Sequence, residues 1–222
     1  MVIVFDVNET LLDLKPLRPI FARMFGSETA AGAWFAQLLQ NSLVATVTDS
    51  YRDFGELALD ALGLLAARRQ ASLTQADKEE VFETLQSLPP HPDVLPNLKR
   101  LRGAGFSTAA LTNSPYRVLE KQLANAGLAD LFDRALSVDE VKLFKPHPAV
   151  YQMAASKLGV AVNELRLVAA HNWDTTGAIR AGARAAFVAR DGAALGELDE
   201  QPDIIGKDLA DVAEKISASD AP

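Results

Sequence analysis

Four short polar segments stand out: Asp6-Val7-Asn8-Glu9-Thr10, Thr112-Asn113-Ser114, Lys145-Pro146 and His171-Asn172-Trp173-Asp174. Each follows a short apolar run. Together they hold a carboxylate that can act as a nucleophile, a lysine that can keep it ionised, and several hydrogen-bond donors. On position alone, Asp6 reads equally well as a nucleophile at a strand end and as a capping carboxylate at a strand-to-helix turn. Asp174 precedes Thr175-Thr176-Gly177 and suits a helix N-cap as well as a catalytic site. His91 and His147 lie beside prolines, without metal-ligand spacing to another histidine or carboxylate, and read as structural.

The elements that must position these groups follow from the apolar pattern. Val2-Ile3-Val4-Phe5 is a continuous apolar run, the signature of a central parallel strand buried on both faces. From Pro16 to about Leu88 the spacing is helical, with Trp34, Phe35, Leu38 and Leu39 in one stretch and Phe54, Leu57, Leu59, Leu62, Leu64 and Leu65 in another. Pro89-Pro90-His91-Pro92 ends that block. Strands and helices then alternate. Strands are predicted over 107–111, 134–138, 165–170, 185–189 and 203–205, and helices over 94–102, 117–126, 148–158, 175–181 and 208–217. Glycines 103, 127, 159 and 182 close four of the helices. The alternation predicts an α/β fold, a Rossmann-like parallel sheet core with a helical cap inserted after the first strand. The expected division is residues 1–14 plus 92–222 for the core and 15–91 for the cap. Leu12–Pro16 and Leu88–Asp93 are the expected hinges, and Ser217–Pro222 is expected to fray. An open parallel sheet gathers its functional groups at the carboxyl ends of its strands, so the four segments are expected to converge there.

Composition narrows the classes. The chain has 222 residues, a formal net charge of −7 and no cysteine. An acidic chain without a basic run is a poor partner for nucleic acid or an anionic membrane. No cysteine means no thiolate catalysis, disulfide or Cys-based metal site, in keeping with an expected cytoplasmic location. No signal peptide and no membrane span are expected, since the chain opens directly into the first strand.

In order and spacing, the four segments resemble the motifs of the haloacid dehalogenase superfamily, and within it most closely the type II, or L-2-haloacid dehalogenase, branch. The quoted residues are Phe5-Asp6-Val7-Asn8-Glu9-Thr10-Leu11, Leu111-Thr112-Asn113, Phe144-Lys145-Pro146-His147-Pro148 and Val168-Ala169-Ala170-His171-Asn172-Trp173-Asp174. The resemblance covers the whole chain. It implies hydrolytic dehalogenation of a short 2-haloalkanoic acid to the 2-hydroxy acid through an ester on Asp6, without a cofactor or metal. By the same resemblance, Thr10 hydrogen-bonds Asp6 and Lys145 neutralises it. Thr112, with backbone N–H groups near Val7 and Asn8, holds the substrate carboxylate, and Asn113 helps polarise the halide. Asp174 activates water and pairs with Lys145, and Tyr151 bonds within the cluster. Asn8, Asn172, Trp173 and Phe35 are expected to line the substrate pocket. The implied partner is a small halogenated carboxylic acid, and a homodimer is implied as well.

Several departures matter. Phosphatase members of the superfamily carry an Asp two residues after the nucleophile and an acidic magnesium ligand after the fourth strand. Here those positions hold Asn8 and Ala170, which argues against phosphoryl transfer. His171 replaces an amide of the dehalogenase pattern, and as an imidazole it reads either as a general base on water or as a donor to halide. The branch places an Arg on the first cap helix, and Phe35 stands at the matching position. Halide capture then falls to Asn113, His171, Trp173 or Gln37, or to Arg23 or Arg52 if the cap threads differently. A magnesium-dependent phosphatase and a non-catalytic relic of the fold are the rival readings.

Overall fold

The computed structural model describes residues 1–220. Among them, strands β1 (Val2–Phe5), β2 (Ser107–Thr112), β3 (Arg134–Ser137), β4 (Leu165–Ala169), β5 (Arg184–Val188) and β6 (Ile204–Gly206) form one sheet in the order β3-β2-β1-β4-β5-β6. Every pairing is parallel. β1 is central and buried throughout. Its Val2 and Val4 point to one apolar layer, and Ile3 and Phe5 to the other. This period-2 split lets helices cover both faces of the sheet. The strand order reverses at β1, so the crevice beside its carboxyl end is where an α/β sheet binds ligands.

On one face lie α5 (Val94–Gly103), α6 (Tyr116–Asn125) and α9 (Leu209–Ser219), and on the other α7 (Pro148–Leu158) and α8 (Asn172–Arg180). Between β1 and β2 run α1 (Leu17–Phe25), α2 (Ala30–Val47), α3 (Phe54–Arg69) and α4 (Gln75–Gln86), with no strand among them. Reciprocal capping boxes, Asp53 with Glu56 and Thr74 with Asp77, start α3 and α4. We propose that residues 15–91 form the cap and 1–14 plus 92–222 the core. The two connections run side by side, with Asp13 N donating to Pro89 O (2.9 Å) and His91 N to Leu11 O (2.9 Å).

The carboxyl end of the chain departs from expectation. Ser217 and Ser219 belong to α9, and Asp220 is buried against Arg166 and Arg184. These ion pairs tie down a segment whose composition alone suggests fraying. Ala221 and Pro222, also expected to fray, lie outside the described residues. At the other end of the fourth motif, α8 begins at Asn172 rather than Thr175, which places Asp174 inside the first helical turn and His171 at the N-cap.

Candidate active site

Asp6 continues the β1 ladder, its N–H donating to Val168 O of β4 at 3.0 Å. Lys145, fully buried, projects its ammonium between two carboxylates. Nζ lies 3.0 Å from Asp6 Oδ1 and 2.9 Å from Asp174 Oδ2. The Tyr151 hydroxyl donates to Asp174 Oδ1 at 2.6 Å. Gly177 makes this approach possible, because a Cβ there would sit 2.4 Å from Pro146 Cβ and 2.7 Å from the Tyr151 hydroxyl. Such contacts forbid any side chain. α8 can therefore bring Asp174 against both the lysine loop and α7.

The second oxygen of Asp6 has different partners. Thr10 Oγ1 accepts from Ala170 N at 2.9 Å, which leaves its proton for Asp6 Oδ2 at 2.6 Å. His171 Nδ1 lies 3.2 Å from the same oxygen, and His171 Nε2 lies 2.8 Å from Glu9 Oε2. The imidazole is held between Trp173 (centroids 4.8 Å apart) and Phe35 (6.1 Å), both nearly parallel to it. Phe35 thus reaches the His171 ring from α2 and brings no charge.

The electrostatics follow from this packing. Burial alone would raise the Asp6 carboxyl, but Lys145 and the hydrogen bonds from His171 and Thr10 hold it well below the usual carboxylate range. Burial alone would lower Lys145, yet Asp174 and Asp6 keep it raised and charged. Asp174 is shifted upward by burial, and repulsion from Asp6 adds to this against the pull of Lys145. Burial and Asp174 raise Tyr151, so it stays a phenol and a donor. Burial would lower His171, but its bonds to Asp6 and Glu9 bring it to about 10. His171 is thus an imidazolium at neutral pH, with both N–H groups donating. Of the two sequence readings, a general base on water or a donor to halide, this arrangement favours a donor in the resting site.

The remaining predicted residues divide. Asn113 Oδ1 accepts from Lys145 N (3.0 Å), which leaves its amide nitrogen as a donor for a ligand. The Thr112 hydroxyl oxygen accepts from Ser114 N (3.1 Å). Asn8 turns toward α6, accepting from Gln122 Nε2 (3.0 Å) and facing Ser114 Oγ (3.4 Å). Asn8 and Phe35 line a small pocket of about 30 Å³ with Phe54, Ser114 and Gln122. Asn172 points elsewhere, donating to Asp199 Oδ2 at 3.0 Å. Gln37 is tied into the cap by Arg68, Gln40 and Asn41, and Arg23 by Asp77 and Glu80, so neither is directed at the nucleophile. Arg52 has no hydrogen bond or ion pair among the described residues. His91 and His147 are structural, the former bonded to Glu9 O and the latter capping α7.

Sequence reasoning missed Glu9, Gln122 and Arg190. The Arg190 guanidinium donates to Thr10 O (2.9 and 3.2 Å) and grips Asp93, which fixes the backbone of the first motif. The only sequence signal for Glu9 was an acidic side chain three residues beyond the nucleophile.

The donor set does not fit a magnesium ion. A hard cation needs several oxygen ligands. Here Ala170 offers no carboxylate, and the Lys145 ammonium fills the space between the two carboxylates that remain.

Comparison with known proteins agrees with this chemistry. A family model described as haloacid dehalogenase-like hydrolase matches residues 1–182. The chain is 34% identical over 178 residues to (S)-2-haloacid dehalogenase 1 of Pseudomonas sp. (strain CBS-3), covering 79% of this chain and 78% of that protein. It is 30% identical over 191 residues to (S)-2-haloacid dehalogenase 4A of Burkholderia cepacia, covering 85% and 83%. The L-2-haloacid dehalogenase of Xanthobacter autotrophicus, solved with chloropropionic acid covalently bound, superposes with a TM-score of 0.91 at 26% identity, covering 99% of this chain and 100% of that one.

Proposed function

The chain belongs to the haloacid dehalogenase-like hydrolases, and we propose that it hydrolyses a short 2-haloalkanoic acid to the 2-hydroxy acid through an ester on Asp6. The observation that carries this reading is the Lys145 ammonium bridging Asp6 and Asp174. It keeps Asp6 an ionised nucleophile without a metal, and a halide leaves without a proton from a general acid.

The contacts around Asp6 and the family resemblance support the following roles. Asp6 Oδ1 attacks C2 of the substrate, the carbon–halogen bond breaks, and the halide departs with the bonding pair. The Thr112 hydroxyl and the backbone N–H groups near Val7 and Asn8 hold the substrate carboxylate. The Asn113 amide nitrogen and the Trp173 wall face the halide, and Phe35 closes the site from the cap. Water then attacks Cγ of Asp6 while Asp174 takes its proton, a task suited to a carboxylate with a raised pKa. Cleavage of the Cγ–Oδ1 bond expels the product alkoxide, which recovers that proton from Asp174. The regenerated Asp6 carboxyl ionises beside Lys145. Tyr151 steadies Asp174 throughout.

A homodimer is part of the proposal. It is supported by Leu43, Val44 and Val47 on α2, which leave apolar surface in solvent, Val47 being 85% exposed. Sedimentation equilibrium at micromolar concentration tests it. No helix of the described residues is long and apolar enough to cross a membrane, and a cytoplasmic location completes the reading.

The activity test is halide release from chloroacetate, fluoroacetate and 2-chloropropionate in EDTA, with Asp6→Asn as control. Release that survives chelation and is lost in the variant is expected. Hydrolysis of phosphate esters only on adding magnesium would reverse the assignment.

A further inference from the structure

The two oxygens of Asp6 are not equivalent. Among the described residues Oδ1 is bonded by Lys145 alone, whereas Oδ2 receives both Thr10 Oγ1 and His171 Nδ1. An oxygen that already carries two donors is the poorer nucleophile. Once Oδ1 is esterified, Oδ2 is the carbonyl oxygen, and attack of water on Cγ makes it the oxyanion. Donors at 2.6 and 3.2 Å then lie where an oxyanion site needs them.

Glu9 explains how His171 is held for this. Its φ is +64°, in the left-handed region where glycine is at ease and a side chain is strained. The turn that imposes this conformation is fixed by its own bonds: Glu9 N to Leu12 O, and Leu11 N and Leu12 N to Val7 O. A glutamate in such a place is expected to be used, and its carboxylate meets His171 Nε2. The aromatic faces of Trp173 and Phe35 fix the plane of the ring. The ionic groups bonded to the ring are Asp6 and Glu9 from the β1 turn. Lys145 and Asp174 of α8 reach it only through Asp6, and α2 presents the uncharged Phe35.

We propose that Glu9 is a positioning residue that holds His171 as a doubly donating imidazolium, and that His171 and Thr10 form the oxyanion site on Asp6 Oδ2 for hydrolysis of the aspartyl ester. In that step a water oxygen bonds Cγ, its proton passes to Asp174, and the Cγ–Oδ2 π pair moves onto Oδ2. It returns when the Cγ–Oδ1 bond breaks. The proposal rests on the dehalogenase reading, but it places His171 and Glu9 in the second half-reaction rather than in halide release.

The experiment combines rapid-quench halide measurement, intact-protein mass spectrometry and nitrogen NMR of the histidine rings on wild type, Glu9→Gln, Glu9→Gly and His171→Gln. The chain has three histidines, so His171→Gln assigns the resonance. Glycine suits the left-handed turn, so Glu9→Gly keeps the fold. We expect the first-turnover halide burst to stay within about threefold of wild type in the Glu9 variants. Steady turnover should fall about tenfold or more in those variants and about a hundredfold in His171→Gln, with the alkylated protein accumulating. The His171 titration should move to lower pH in both Glu9 variants, and the alkaline limb of turnover should move with it.

Ester hydrolysis at the wild-type rate in Glu9→Gly, or a neutral His171 ring in wild type at pH 7.5, would overturn the proposal. Absence of halide from wild type would instead defeat the dehalogenase reading, and the NMR titration would still decide whether Glu9 sets the charge of His171.

Discussion

An ion cluster lies near each end of β4, centred on the buried Arg166 at one and the buried Lys145 at the other, and the two are built differently. At its amino end, Arg166 spends its guanidinium on the bidentate pair with Asp203 (2.6 and 2.9 Å), on Asp220 (2.5 and 3.0 Å) and on Ala185 O (3.1 Å). At its carboxyl end, Lys145 serves Asp6 and Asp174 with one ammonium, and Asp6 Oδ1 has no further partner among the described residues. A planar fork that is always charged suits a fixed geometry. An ammonium shared between two carboxylates suits a site whose charge changes, because when Asp6 becomes a neutral ester the lysine still has Asp174. The saturated cluster is structural, and the unsaturated one is where a bond can form.

Substitutions can break this contrast. The largest effect is expected from Asp6→Asn, which should lower halide release by roughly four orders of magnitude or more while leaving the melting temperature close to wild type. Quenched halide assays and calorimetry check the two halves. Next come Lys145→Met and Arg166→Met. Lys145→Met leaves buried carboxylates without their cation and should cost about 3–5 kcal/mol in urea unfolding, whereas Arg166→Met, with Asp203 in solvent and Asp220 still paired to Arg184, should cost less. They should part in activity, with Lys145→Met losing about a thousandfold in kcat/KM and Arg166→Met keeping kcat per folded molecule. Equal losses of activity would dissolve the distinction between the clusters. Tyr151→Phe removes one hydrogen bond to a charged carboxylate, a loss of about 1.5–3 kcal/mol, so turnover should fall between about tenfold and a hundredfold.

Smaller effects sharpen the picture. The folded pKa of His171 is about 10, above the ordinary 6.5. Its contribution to stability is therefore complete below pH 6.5 and is lost as pH rises from there through about 10. Urea midpoints across that window should decline in wild type and decline less in His171→Gln. Asn172→Ala, whose side chain bonds Asp199 rather than the cluster, should change kcat by less than about threefold. A large loss would restore Asn172 to the substrate pocket.

Why some of this was legible in sequence and some was not has a physical basis. The apolar run 2–5 and the alternation after Pro92 encode a parallel sheet directly, and the sheet brings Asp6, Asn113, Lys145 and Asp174 together at one edge. Tyr151 was legible only through the family resemblance, since on its own it reads equally well as a packing residue of α7. Contacts made by side chains far apart in the chain were not legible. Glu9 and His171 meet across 162 positions, and nothing local announces the left-handed backbone at Glu9. The charge of His171 depends on both carboxylates that flank it, so the imidazole alone left a base and a donor equally open. The tying down of Asp220 likewise depends on Arg166 and Arg184, 54 and 36 positions away.

The central claim is a covalent ester on Asp6 that water opens at Cγ. A single turnover of 2-chloropropionate with excess enzyme in ¹⁸O water, followed by proteolysis and mass spectrometry, tests it directly. The account predicts ¹⁸O in the peptide containing Asp6 and unlabelled oxygen in the hydroxyl of the product. Label in the product, with none in that peptide, would mean that water displaces the halide directly and that Asp6 is not the nucleophile.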